Sequence, residues 1–171
     1  LACPSWAGGK DWEAGAYSPL THTMYFPLRN ACQRLLSTTD GSGPYALAAR
    51  HELAPGTDQL GTVRAISVET GETAWLYQQR AATTSLVATG GGLLFGGDVN
   101  GRFRAFDQDT GEVLWQVNLG SPVTGYPITF AVDEQQYVAV STGTAANAGI
   151  NLRMTPELRP SAGKNLFVFA L

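Results

Sequence analysis

Charge is scarce in this chain. Its 171 residues hold 11 Lys and Arg against 14 Asp and Glu, a net charge of −3, with no basic cluster longer than a pair. A nucleic acid or an anionic membrane is bound through a concentrated positive footprint, so neither partner is expected. No apolar run approaches the roughly 20 residues that cross a bilayer as a helix, and no membrane span is expected. Histidine is almost missing: His22 and His51 have no companion at metal-ligand or catalytic-triad spacing, and each reads as a surface or hydrogen-bonded residue. The pattern C-x-x-C-H is absent, which excludes covalent c-type haem within these residues. The two cysteines, Cys3 and Cys32, admit two readings from their count alone: buried thiols in a reducing compartment, or a disulfide in an oxidising one.

What is plentiful is glycine, at 20 residues, with nine prolines, and both fall between short runs of Val, Leu, Phe, Tyr and Thr. This is the punctuation of an all-β chain. Hydrophobic residues make up 44% and aromatics 10%, enough for one packed domain and against disorder.

The chain also repeats itself. "GTVRAISVETGETAW" at 61–75 returns forty residues later as "GRFRAFDQDTGEVLW" at 101–115, with Gly, Arg, Ala, Thr-Gly-Glu and Trp in the same places. In the second copy, "SLVATG" and "GGLLFGGD" are apolar runs, and Asn100-Gly101 suits a two-residue hairpin turn. In "RFRAFD", Arg102 and Arg104 alternate with Phe103 and Ala105, the period of two that sends polar and apolar groups to opposite sheet faces. "DTG" turns the chain again before "EVLWQV". Four short antiparallel strands at a period of forty read as one propeller blade per unit. Trp75 and Trp115 are expected to lie against the following blade. Ala65 and Ala105 would leave room there, and the turns at Gly71 and Gly111 would bring backbone beneath an indole that buries roughly 150–250 Å².

The expected architecture is a partial β-propeller over 1–171, about three four-stranded antiparallel blades with the last incomplete. The first blade covers about 12–80 and carries an inserted loop over 33–60. The second covers about 83–120, and the third about 123–171, with "NLFVFAL" as its third strand. The opening "LAC" reads as a start within a longer protein rather than a lipoprotein signal, since no basic or apolar segment precedes it. Two other patterns are set aside. Asp107 and Asp109 have the first spacing of an EF-hand, without its third acidic ligand or closing Glu. "ATGGGLLFGG" lacks the G-K-[ST] ending of a phosphate loop and reads as a hairpin.

Together these segments resemble the pyrroloquinoline quinone (PQQ) dependent alcohol dehydrogenases of the methanol dehydrogenase type. The copies at 65–75 and 105–115 fit the family's A-x-D-x-x-T-G-x-x-x-W motif, with Ser67 where Asp is usual. "CPSWAGGKDWEAGAYSPLT" resembles its Cys-Pro, Gly-Gly-Lys-Asn-Trp and A-Y-S-P-x-T segment, and "GKNLFVFAL" its C-terminus. The resemblance implies an eight-bladed ring of which this chain is the late part, and the remaining N-terminal blades as its partners. It also implies a disulfide between Cys3 and Cys32, and with it a periplasmic location. A small alcohol would be the substrate and PQQ the cofactor, with electrons passed to an acceptor. The calcium or lanthanide ion and the catalytic base would sit on residues outside this chain, which is therefore expected to be inactive alone.

For the PQQ pocket wall, the resemblance points to Lys10, Asp11 and Trp12, where Gly8 and Gly9 let backbone approach. Asp11 stands where the family has Asn, and Trp12 reads more as a core residue than as a wall. The family's plate Trp aligns near Thr83, so Thr83, Thr84 and Ser85 are the hydroxyls expected there, with entry into a strand as the alternative role. The alternative is a non-catalytic propeller scaffold that binds other proteins. Asp11 and the missing Trp lean towards it; the cysteine pair and the "GGKDW" segment lean towards the dehydrogenase.

Overall fold

The structure is a computed structural model that describes residues 1–37 and 47–171. Its elements, in chain order, are β1 (Ala16–Ser18), β2 (Thr23–Arg29), β3 (Ala31–Ser37), β4 (Leu47–Leu53), β5 (Gly61–Ser67), β6 (Thr73–Gln79) and β7 (Thr83–Ala88). There follow β8 (Leu93–Asp98), β9 (Arg102–Asp107), β10 (Val113–Asn118), β11 (Ile128–Val132), β12 (Gln135–Ser141), α1 (Ala146–Met154) and β13 (Leu166–Ala170). Two four-stranded sheets, β1-β2-β5-β6 and β7-β8-β9-β10, and a three-stranded sheet β11-β12-β13 follow one another along the chain, antiparallel throughout. The all-β partial propeller holds.

The stack is held by the two faces of the middle blade. Leu86, Leu94 and Phe106 pack with Tyr25, Val63 and Ala65 of the first sheet, while Phe95, Phe103 and Ala105 pack with Val138 and Val140 of the third. With both faces covered, the expected polar face of β9 is not solvated. Arg104 is buried, its guanidinium carbon 5.7 Å from the centre of the Tyr77 ring. Polar alternation here marks a neighbour rather than water, because a blade inside a stack has no free side.

Two expectations are corrected. The stretch read as an inserted loop over 33–60 contains strand β4 and most of β3, paired from Ala31↔Leu53 to Ser37↔Leu47; residues 38–46 of that stretch lie outside the described residues. The ribbon is fastened by an Ala2↔Gln33 bridge and by the Cys3–Cys32 disulfide, so its order comes from the segment before β1, which its own composition does not show. Within the third blade, a nine-residue helix α1 interrupts the expected run of strands. It caps a small cluster of Ala31, Leu60, Ala82, Val99, Ala148 and Met154.

The turns that close the repeated motif are built alike. Asp107 Oδ1 accepts the N–H groups of Asp109 (2.9 Å) and Thr110 (2.8 Å) and the Thr110 hydroxyl (3.0 Å), while Gly111 N–H reaches the Asp107 carbonyl at 3.0 Å. In the first copy Ser67 Oγ accepts only the Thr70 N–H, at 3.3 Å. The bonds from Thr110 hold the Asp107 carboxyl below the usual carboxylate range. Its contribution is therefore complete above the ordinary Asp pKa and is lost as pH falls through the lowered folded value.

Gly111 has φ +74°, and a Cβ there would lie 2.6 Å from two ring carbons of Trp75, whose indole N–H donates to the Gln108 carbonyl at 2.9 Å. Gly111→Ala is expected to cost about 2 kcal/mol, from left-handed backbone strain and a displaced indole together. Urea unfolding followed by Trp fluorescence measures it; an unchanged midpoint would show that the contact is loose. Trp115 is placed differently. It stands edge-on to Phe169 of the third sheet at 5.3 Å and stays 39% exposed.

Candidate functional site

Four separate segments meet at a small cavity of about 30 Å³ lined by Trp12, Glu13, Thr84, Ser85, Tyr126 and Asn151, among others. Trp12 and Glu13 come from the loop before β1, Thr84 and Ser85 from β7, Tyr126 from the loop before β11, and Asn151 from α1. Strand β7 is the terminal strand of the middle sheet, and its pairing with β8 slips between Thr83 and Leu86. Such an irregularity re-aims side chains, and here it leaves Thr84 and Ser85 both buried. Room for Thr84 comes from Gly97, where a Cβ would lie 2.9 Å from Thr84 Oγ1.

The cavity's polar atoms are unevenly satisfied. Ser85 Oγ accepts the Ala14 N–H at 3.0 Å, and the Tyr126 hydroxyl donates to the Trp12 carbonyl at 3.4 Å. Thr84 Oγ1 and Asn151 Oδ1 are buried with no hydrogen-bond partner among the described residues. Burying a polar atom without a partner costs about 1–3 kcal/mol, so two in one cavity are a reason to look for what they serve. Beside them the Trp12 ring is 59% exposed. This corrects the expectation of a core residue: in this loop Glu13, held by Arg29, is the buried residue, and Trp12 is exposed.

The neighbouring loop is an ionic clamp. Buried Arg29 reaches Asp11 Oδ2 (3.1 Å), Glu13 Oε1 (3.6 Å) and the Ala7 carbonyl (2.9 Å). Lys10 Nζ donates to the carbonyls of Asp11 (2.5 Å) and Glu13 (2.7 Å). Lys10 and Asp11 thus fix the shape of the loop and do not line the cavity. Thr83 is buried, receives the Gln79 side-chain amide at 3.4 Å, and also stands outside it. Of the residues singled out in the sequence, the structure brings Trp12, Thr84 and Ser85 together. It adds Glu13, Tyr126 and Asn151, for which the sequence carries no signal, since each is isolated in its own segment. No group of three or more His, Cys, Asp or Glu that could hold a metal occurs among the described residues.

Comparison with known proteins gives a consistent picture. The family described as "Glucose/ethanol/alcohol dehydrogenase, beta-propeller domain" matches residues 58–138. The chain is 36% identical over 172 residues to the lanthanide-dependent methanol dehydrogenase of Methylacidiphilum fumariolicum (strain SolV), covering 94% of this chain and 28% of that protein. It is 32% identical over 145 residues to the quinoprotein ethanol dehydrogenase of Pseudomonas putida, covering 82% of this chain and 23% of that protein. Among solved structures, a europium-containing methanol dehydrogenase superposes with a TM-score of 0.84 at 31% identity, over 99% of this chain and 34% of that one. The chain thus spans roughly a quarter to a third of the length of these relatives.

Proposed function

For a chain that belongs to the family of PQQ-dependent quinoprotein alcohol dehydrogenases, we propose that it forms late blades of such an enzyme and one wall of the quinone pocket. The observation that carries this reading is a cavity lined by Thr84, whose buried hydroxyl has no partner among the described residues, beside the exposed side chain of Trp12. PQQ is a flat tricarboxylate. An exposed indole suits its ring plane and a partnerless hydroxyl suits its anionic oxygens, while the cavity of about 30 Å³ is far smaller than such a group, so most of the pocket's volume would be completed by other blades.

When bound, PQQ supplies the two-electron acceptor for alcohol oxidation. The chain's own residues do three things in this reading. Trp12 offers an apolar plate. Thr84 donates a hydrogen bond from a site closed to water, where such a bond is strong. Arg29, held between Asp11 and Glu13, neutralises carboxylates that would otherwise repel an anionic cofactor. The calcium or lanthanide ion and the base that accepts the hydroxyl proton belong to other blades.

Those blades are the proposed partners. Ile128, Val132, Leu166 and Val168 of the third sheet and Met24 and Leu76 of the first are exposed, an apolar surface on each flanking sheet that suits contact with another blade. The Cys3–Cys32 disulfide favours an oxidising compartment, and we assign the protein to the periplasm.

The test is made on the full-length protein, titrated with PQQ in the presence of Ca²⁺ or a lanthanide and assayed for dye reduction with primary alcohols. Thr84→Val is expected to weaken PQQ binding about tenfold, the worth of one hydrogen bond to a charged group. Absence of both PQQ binding and dye reduction would return the non-catalytic scaffold as the reading.

A further inference from the structure

Residues 7–13 pair with no strand among the described residues, yet their burial alternates as if they did. Ala7 and Glu13 are buried and Asp11 is half-buried, while Lys10 and Trp12 are exposed. The odd-numbered positions are all held by one residue at the end of β2. The Arg29 side chain, 4% exposed, donates from Nη2 to the Ala7 carbonyl (2.9 Å) and to Asp11 Oδ2 (3.1 Å), and its Nη1 stands 3.6 Å from Glu13 Oε1. Its backbone N–H donates to the Gly9 carbonyl at 2.7 Å. Arg29 thus stands in for a partner strand at Ala7, Gly9, Asp11 and Glu13.

The residue that does this is itself fixed. Arg29 closes the β2–β5 ladder opposite Gly61, so its backbone belongs to a paired strand while the residues it holds do not. Arginine suits the task because its planar fork carries five N–H groups in fixed directions, and a lysine ammonium could not serve three separated acceptors at once. Lys10 secures the other end of the loop through the carbonyls of Asp11 and Glu13. Two cations and two anions therefore balance within the cluster.

We infer that Arg29 is the positioning residue for Trp12. Asp11 and Glu13, on either side of Trp12, are both tied to Arg29, and that tie keeps Trp12 at the cavity it lines with Thr84 and Ser85. A side chain that must meet a ligand in one geometry is best held from a rigid element, and here β2 is that element. The consequence for quinone binding rests on the reading given above; the consequence for the loop does not.

The test uses the full-length protein labelled with 5-fluorotryptophan, the Trp12 resonance being the one lost in Trp12→Phe. Arg29→Gln combined with Asp11→Asn leaves the net charge of the cluster unchanged, so its effect is one of position and not of charge. Without any quinone, the Trp12 ¹⁹F resonance of this pair variant is expected to move towards that of a solvated indole. The amides of Gly8 and of residue 29, bonded to the Ser5 and Gly9 carbonyls, are expected to exchange about tenfold faster, the worth of one charge-assisted bond. Arg29→Lys, which keeps the charge without the fork, is expected to show the same changes in smaller measure and serves if the pair variant does not fold. An unmoved Trp12 resonance with unchanged exchange would overturn the inference. Titration with PQQ and Ca²⁺ follows: binding about tenfold weaker in the pair variant, with no further loss when the pair is added to Trp12→Ala, is expected of a residue that acts through Trp12. Fully additive losses would overturn that role, whereas a parent protein that binds no PQQ would sink the quinone reading and leave the loop measurements to decide the positioning.

Discussion

Asp98→Ala is expected to destabilise the protein by about 3–5 kcal/mol, because it strips a buried cation of its counter-charge. Asp98 is 1% exposed, and its carboxylate serves three donors: the N–H groups of Asn100 (2.8 Å) and Arg102 (3.0 Å) on Oδ1, and Arg104 Nη1 (2.9 Å) on Oδ2. Arg104 in turn donates from Nε to Gln116 at 2.8 Å and lies over Tyr77 of the preceding blade. One carboxylate thus shapes the Asn100-Gly101 hairpin and anchors the contact between two sheets. Removing it alone leaves a guanidinium that is only 5% exposed without its counter-charge, beside the cavity of about 240 Å³ that Asp98 and Arg104 both line. The double variant Asp98→Ala, Arg104→Met is expected to recover part of the loss, since it removes the stranded charge as well. Denaturant unfolding measures both. A single variant within about 1 kcal/mol of the parent, or a double variant losing the sum of two large effects, would mean that the pair is solvated in practice.

Removing the disulfide, as Cys3→Ala with Cys32→Ala or by reduction, is expected to cost about 3–4 kcal/mol, the chain-entropy value for a cross-link spanning 29 positions. Cys32 is fully buried in β3, and the segment it tethers is otherwise held by hydrogen bonds: the Ala2↔Gln33 bridge, the Ser5 N–H to the Ala31 carbonyl (2.9 Å), the Trp6 N–H to the Gln33 side chain (2.9 Å), the Trp6 indole to His51 (3.0 Å), and bonds from Arg29 to the carbonyls of Ala7 (2.9 Å) and Gly9 (2.7 Å). Loss of the bond should show first as faster amide exchange over residues 1–9, ahead of global unfolding, and as a lower midpoint in reducing buffer. Identical midpoints in oxidising and reducing buffer would refute it. The same segment positions the Arg29 clamp, through the Ala7 carbonyl, so reduction is also expected to loosen the loop that carries Trp12.

Much of the fold was legible because its determinants are local. Each strand of the second repeat sits where alternation and Gly-containing turns put it, since hairpins are closed by residues adjacent in sequence. Ribbon β3–β4 escaped notice because its fastening is supplied from residues 2, 3 and 6. Helix α1 did too: with Gly149 in its middle and no side-chain cap, "ANAGINLRM" carries no helical signature, and the helix is held by what it covers. For the candidate site, Thr84 and Trp12 could be picked out by likeness to a known segment. Asn151 and Tyr126 could not, since nothing near either one in sequence marks it.

By itself, then, the sequence determined the repeat and the strands and turns of the second blade, because these rest on residues within about forty positions of one another. Tertiary structure alone decided that Trp12 is exposed, that Arg104 is buried with Asp98, and which residue of the Thr83-Thr84 pair lines a cavity. Those outcomes depend on what packs against each sheet face and loop, and the groups that do so are brought there from distant parts of the chain.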